Sequence, residues 1–184
     1  MTVSEDLINT RGRGPVRILI SAIPAPDGRE GRREREQGAV RALLRHALGE
    51  DCTLGHRPDG APFVPERPDI FISVSHSMHY AALAIAQRPI GIDLEEPREQ
   101  LRRVASRVFS PEELSACPTL FDLTRAWTLK EALYKLSPSP AACDFRANIS
   151  IDPPAVCGRV AEIVFEKSLA GPDAILTAVR EKVC

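Results

Sequence analysis

The sequence predicts an α+β protein made of two similar halves, on three observations. Strand-like and helix-like stretches run in the order strand, helix, strands and then strand, helices, strands. At 184 residues the chain has the length of one domain or of two small, tightly joined halves. Its 43% hydrophobic content is enough for a real core. The expected division is a flexible N-terminus over 1–14, an N-terminal half over 15–88 and a C-terminal half over 89–184, the last two forming one unit. No repeat in the residues themselves ties the halves to a duplication.

Residues 1–14 are polar, carry Gly12 and Gly14 and lack periodicity, so they are expected to be loose. The stretch VRILISAI, 16–23, reads as a strand closed by the turn cluster Pro24-Ala25-Pro26-Asp27-Gly28. Over 30–48, Ala39, Val40, Leu43, Leu44, Ala47 and Leu48 recur at helical spacing, and Gly49 is a natural stop. Residues 56–67 hold Pro58, Gly60, Pro62 and Pro65 and read as loop with at most a short extended piece. Strands are expected over 69–74, 80–86 and 89–94. The last two are joined by Gln87-Arg88, a connection short enough for a hairpin. Residues 98–109 and 111–116 read as helices, the second opened by Ser110 as N-cap, Pro111 at the first helical position and Glu113 near the capping-box position. The longest helical pattern is 119–136, and 146–151, 159–166 and 174–180 close the chain as strands.

Lys plus Arg number 24 and Asp plus Glu 25, a near-zero balance that argues against a general nucleic-acid binder. Charge is nonetheless uneven: 28–45 holds Arg29, Arg32, Arg33, Arg35, Arg41 and Arg45 against Glu30, Glu34 and Glu36. With no membrane-length apolar stretch and no leader pattern, a soluble cytoplasmic protein with neither nucleic-acid nor membrane partners is expected. The five cysteines are odd in number and widely spaced, without CxxC, and read as reduced thiols.

Within GIDLEEP, 91–97, two acids stand two positions apart in an apolar run. On a strand Asp93 and Glu95 share one face, while Ile92 and Leu94 face the core. Carboxylates this close repel, and one takes up a proton unless a cation lies between them. Oxygen ligands without nearby His or Cys favour magnesium or calcium over zinc. The plain alternative is a strand leaving the core with its acids in water. A second acidic element weighs against it. In TRAWTLKEALYKL, 124–136, Ala126, Leu129, Leu133 and Leu136 form an apolar stripe, and Trp127, Glu131 and Lys135 follow one another along a different face. Lys130 and Tyr134 lie between that face and the core. Ordinary i,i+4 pairing accounts for Glu131 and Lys135 but not for Trp127 beside them. Three carboxylates beside two lysines suit a divalent cation that binds a phosphorylated ligand.

These motifs together resemble the 4′-phosphopantetheinyl transferases, the Sfp-type branch in particular. GIDLE and WTLKEALYK carry the resemblance, with SVSHS at 73–77 and FSPEE at 109–113 in the family order, over about 59–135. The resemblance implies a pseudo-twofold α+β fold with two similar halves packed around a ligand cleft. It implies transfer of the phosphopantetheine arm of coenzyme A to a serine of an apo acyl or peptidyl carrier protein, releasing adenosine 3′,5′-bisphosphate. By position, Asp93, Glu95 and Glu131 would hold Mg2+ (or Mn2+) against the diphosphate, and Lys130 and Lys135 would contact phosphates. Ser75 and His76 would bind the 3′-phosphate. Glu131 or Glu113 would act as general base. Read without the family, His76 is a hydrogen-bonded strand-end residue. Arg41 is either a solvated helix charge or part of a basic element that meets coenzyme A. A monomer is expected if both halves of the cleft come from one chain.

One position departs from the pattern. Where the family places a base before the SVSHS strand, this chain has Ala61, and Arg57 or Arg67 are the nearest substitutes. Ala61 keeps a second reading in play, a coenzyme A-binding regulatory module without turnover. A metal-dependent phosphohydrolase is a third, because carboxylates and lysines serve that chemistry too.

Overall fold

The apolar run 80–86, buried from Ala81 to Ala86, and the largely buried stretch 16–22 are neighbours at the centre of an antiparallel sheet. The computed structural model describes residues 3–10, 14–25, 31–137, 140–169 and 173–182. Gly12, the Pro26-Asp27-Gly28 part of the turn cluster, Arg29, Glu30 and Cys184 lie outside the described residues. The chain divides into two compact units, Met1–Ile90 and Gly91–Cys184.

The first unit is a four-stranded antiparallel sheet in the order β1 (Val3–Thr10), β2 (Gly14–Ala22), β6 (Tyr80–Ala86), β5 (Phe71–His76). Helix α1 (Arg32–Leu48) packs across it through Ala39, Val40, Leu43 and Leu44, which meet Leu19, Ile72, Leu83 and Ile85. The 55–63 stretch contributes only a two-residue ladder, β3 (Gly55–His56) with β4 (Pro62–Phe63), in line with the expected loop.

Strand β1 corrects the expectation of a loose start. Val3 pairs with Ser21 and the register runs on to Thr10 opposite Gly14, with the Arg17 guanidinium donating to Glu5 at 2.6 Å. An edge strand needs only one partner and tolerates outward polar residues, which hides it from a periodicity count.

The second unit is a five-stranded sheet in the order β7 (Ile90–Glu95), β11 (Ala174–Glu181), β10 (Arg159–Leu169), β9 (Pro154–Val156), β8 (Ile149–Ile151). The hairpin expected between 80–86 and 89–94 does not form: β6 and β7 belong to different sheets, and β7 lies beside β11. Proline at 89 supplies no N–H to a ladder and denies the turn its usual chemistry.

Helices α2 (Gln100–Val108), α3 (Pro111–Ser115) and α4 (Leu120–Leu136) complete the second unit. Ser110 caps α3 reciprocally with Glu113, and Thr119 caps α4 with Asp122. One apolar cluster joins α4 to the sheet through Ala132, Leu133, Ile149, Val156 and Val179. A second joins α2 to α4 through Leu101, Ala105, Phe109, Leu123 and Ala126. Between α4 and β11 the buried hydroxyls of Thr128 and Thr177 bond at 2.9 Å. No helix among the described residues is long and apolar enough to cross a membrane.

Candidate functional site

Strand alternation on β7 buries Ile92 and Leu94 completely and turns Asp93 and Glu95 to the other face. Gly91 decides how closely α4 can approach that strand. A Cβ built there would collide with the backbone carbonyl of Ala132 and lie 3.3 Å from the amide of Leu136. Glycine at 91 thus lets the helix lie against the strand, with Glu131 and Lys135 flanking that contact in sequence. Lys135 Nζ donates to Asp93 Oδ1 at 2.8 Å and to the Ile92 carbonyl at 2.9 Å. Arg98 Nη2 donates to Glu95 Oε1 at 3.0 Å.

The three acids expected to act together share one electrostatic neighbourhood. Burial and then the Asp93 charge raise the Glu95 pKa to about 7, with Glu131 adding to the rise and Arg98 and Lys135 opposing it. Burial and then Asp93 raise Glu131 to about 7 as well, against Lys135 and Arg98. Among the described residues, no three His, Cys, Asp or Glu side chains stand ready-arranged around a metal position. The donor set still suits a hard divalent cation: three carboxylates, no sulfur or imidazole, and two of the acids driven toward protonation by burial and then by the Asp93 charge. Lys135 supplies a positive charge bonded directly to Asp93.

Lys130 and Glu113 stand elsewhere, and this corrects the roles expected for them. Lys130 is 0% exposed. Its ammonium donates to the carbonyls of Val108 at 2.9 Å, Phe145 at 3.0 Å and Ile149 at 3.1 Å. It also pairs with Glu113 Oε2 at 2.8 Å and lies 5.1 Å from the Phe109 ring centre. An ammonium has three protons to donate, and this one is fully surrounded within the unit. It therefore has no reach to a phosphate in this arrangement. Glu113 is likewise engaged, accepting from the amides of Ser110 at 2.9 Å and Ile151 at 3.4 Å. Trp127 packs against Phe109 with centroids 6.2 Å apart, and Tyr134 stacks on Phe145, so both aromatics belong to apolar clusters and not to a ligand wall.

Within the first unit, α1 and β5 line a cavity of about 850 Å³. Arg32, Arg33, Arg41, Arg45, His56 and His76 face it, against Glu36 and Glu50. Arg41 and His76, singled out from the sequence, are thus brought together. His76 Nδ1 lies 3.6 Å from Glu36 Oε2, and Arg32 Nε donates to Glu36 Oε1 at 2.6 Å. Ser75 does not line this cavity: it is buried on the face of β5 opposite to Val74 and His76.

Neither substitute base replaces the one absent at Ala61. Arg57 lies over the Phe63 ring, and Arg67 makes a two-pronged contact with Asp69 at 2.8 Å on each oxygen. Arg32, Arg33, Glu36, Arg45, Glu50 and His56 are lining residues that the sequence did not single out as a site. For those on α1, the dense arginine run was the signal.

The family model described as 4′-phosphopantetheinyl transferase superfamily matches residues 89–163, which contain all three acids. A 4′-phosphopantetheinyl transferase AcpT from Escherichia coli K12 is 33% identical over 131 residues, covering 63% of this chain and 67% of the relative. A 4′-phosphopantetheinyl transferase from Bacillus subtilis is 30% identical over 105 residues, covering 52% and 47%. The Bacillus subtilis 168 protein Sfp, also named a 4′-phosphopantetheinyl transferase, is 38% identical over 65 residues, covering 35% and 29%. The matched stretch thus spans less than half the length of the two Bacillus proteins.

Proposed function

This chain belongs to the 4′-phosphopantetheinyl transferase superfamily, and we propose that it moves the 4′-phosphopantetheine arm of coenzyme A onto a serine hydroxyl of an apo acyl or peptidyl carrier protein, with magnesium, leaving adenosine 3′,5′-bisphosphate. The observation that carries this reading is the meeting of Asp93, Glu95, Glu131 and Lys135 in one electrostatic neighbourhood inside the matched stretch. The two units, each with a 17-residue helix against an antiparallel sheet, also fit the family's two-halved plan.

The reaction sets a neutral hydroxyl against a phosphorus ringed by negative oxygens, so it needs charge cancelled and a proton removed. Magnesium, when bound by Asp93, Glu95 and Glu131, neutralises diphosphate charge. Lys135 brings a second positive charge to the same acids and is the lysine placed to meet phosphate oxygens. Glu131, beside the proposed cation, is the candidate acceptor for the serine proton, directly or through water. Glu113 is bonded to Lys130 and two amides, which favours Glu131 for that role. In the first unit, the arginine-lined cavity with His76 suits the adenosine phosphate end of coenzyme A, and Arg33 and Arg41 carry no ion pair among the described residues that would compete.

The test is to incubate the protein with coenzyme A, magnesium and a panel of apo carriers, then weigh each carrier. A gain of one phosphopantetheine arm on at least one carrier is expected. No gain on any carrier, or phosphopantetheine released in the absence of carriers, would overturn the reading.

A further inference from the structure

Cys143 follows α4, and Cys157 sits in the turn between β9 and β10. Their sulfurs lie 3.8 Å apart. Cys157 is exposed and Cys143 buried, and neither is in a disulfide. The Ser137 hydroxyl is 3.7 Å from the Cys157 sulfur, and Cys143 packs in the apolar cluster below α4. Contact between two thiols could arise from packing alone, but a second observation points further. Cys157 has φ 49° and the following Gly158 φ 76°, a two-residue turn with both positions left-handed. Glycine, Asn and Asp adopt that conformation at the least strain. Gly158 obeys the rule and Cys157 breaks it, which keeps a thiol where any turn-former would fold more easily. Backbone outliers of this kind concentrate at functional positions.

We propose that Cys143 and Cys157 form a redox-active dithiol that is oxidised to an intramolecular disulfide by low-molecular-weight disulfides. The exposed Cys157 thiolate attacks one sulfur of the small disulfide, forming a mixed disulfide and expelling one small thiolate, which takes up a proton. The Cys143 sulfur, once deprotonated, attacks the Cys157 sulfur and expels the second thiolate. Two protein thiols become one disulfide while one small disulfide becomes two thiols, so atoms and electrons balance. The order follows from access: only Cys157 meets solvent, and Cys143 is held beside it as the resolving thiol. Burial holds the Cys143 thiol above its ordinary pKa, consistent with its acting second.

The bridge would close the 143–157 segment, and that segment supplies two of the carbonyls around Lys130, those of Phe145 and Ile149. Its backbone is already closed on itself, because the Cys157 amide donates to the Asn148 carbonyl at 2.8 Å. Oxidation therefore stiffens one wall around Lys130, the neighbour of Glu131 in α4. This inference stands whether or not the transferase reading does.

The test treats purified full-length protein with oxidised glutathione, blocks remaining thiols with iodoacetamide and reads intact mass and non-reduced peptides. The expected product has lost two hydrogens and yields one peptide joining Cys143 to Cys157, with no lasting glutathione adduct. Cys143→Ser should instead trap glutathione on Cys157, and Cys157→Ser should form neither species. The oxidised wild type should melt several degrees higher than the reduced one, a shift absent from both variants. A wild-type protein that keeps a stable adduct at Cys157, or cross-links through another cysteine, would overturn the proposal, as would an adduct on Cys157→Ser at Cys143.

Discussion

Asp93 is 5% exposed and bonded to Lys135, and its charge raises both Glu95 and Glu131. Replacing it with alanine removes a donor and a repulsion together. Asp93→Ala and Glu131→Ala are expected to fold, with circular dichroism and melting close to wild type, yet to modify no carrier. Full activity in both would show that the acids are not the site. Lys130→Ala should behave in the opposite sense. It leaves a half-buried Glu113 and three carbonyls without their cation, a loss of roughly 3 kcal/mol, read by urea titration. A Lys130→Ala protein of wild-type stability would contradict the buried position. The acids were legible in the sequence because two-residue spacing on a strand fixes a shared face. The direction of Lys130 was not, since its long stem let it pass for a charge bordering the site. Its place four residues after Ala126 and three before Leu133, both in the buried stripe, was the available clue.

At the scale of elements, the approach of α4 to β7 rests on one missing side chain. Gly91→Ala would press a methyl into the Ala132 carbonyl, and backbone on both sides leaves little room to give. A loss of roughly 1–3 kcal/mol is expected from overpacking, together with weakened carrier modification as Glu131 shifts from Asp93. A Gly91→Ala protein unchanged in denaturation and in activity would show that the contact is slack. The capped helices were readable because each carries its own start signal: Ser110 with Glu113 ends one segment and opens α3 within a few residues. Strand partners are not local. β1 finds its partner across a short gap, whereas β7 pairs with β11 far along the chain, and Gln87-Arg88 alone could not reveal that choice.

For the molecule as a whole, the raised acids set a dependence of stability on pH. Glu95 and Glu131 move from the ordinary 4.5 to about 7 on folding, so between these values the folded chain holds protons that the unfolded chain has released. Their contribution to stability is complete below about pH 4.5 and is lost as pH rises through 7. With a tenfold change in proton affinity equivalent to about 1.4 kcal/mol, the metal-free fold should weaken by a few kcal/mol between about pH 5 and pH 8. Exposed acids with lowered pKa values, such as Asp69 and Asp122, pull the other way only at lower pH. Urea midpoints across that range should fall for wild type and flatten for Glu131→Gln; midpoints that rise toward the alkaline end would contradict the assignment. The α+β class was visible in the order of elements. That Ser75 and His76 turn to opposite faces was overlooked, since they are adjacent in sequence and only strand alternation separates them.

The Lys135 ammonium already rests on Asp93 Oδ1, so an ion that seeks that oxygen enters by exchange and not by filling a vacancy. Sodium or potassium would bring no more charge than the tethered group it displaces, and would have to give up its own hydration to do so. A doubly charged ion gains where they only break even. On the proposed reading, the built-in lysine would act as a threshold that separates divalent from monovalent cations.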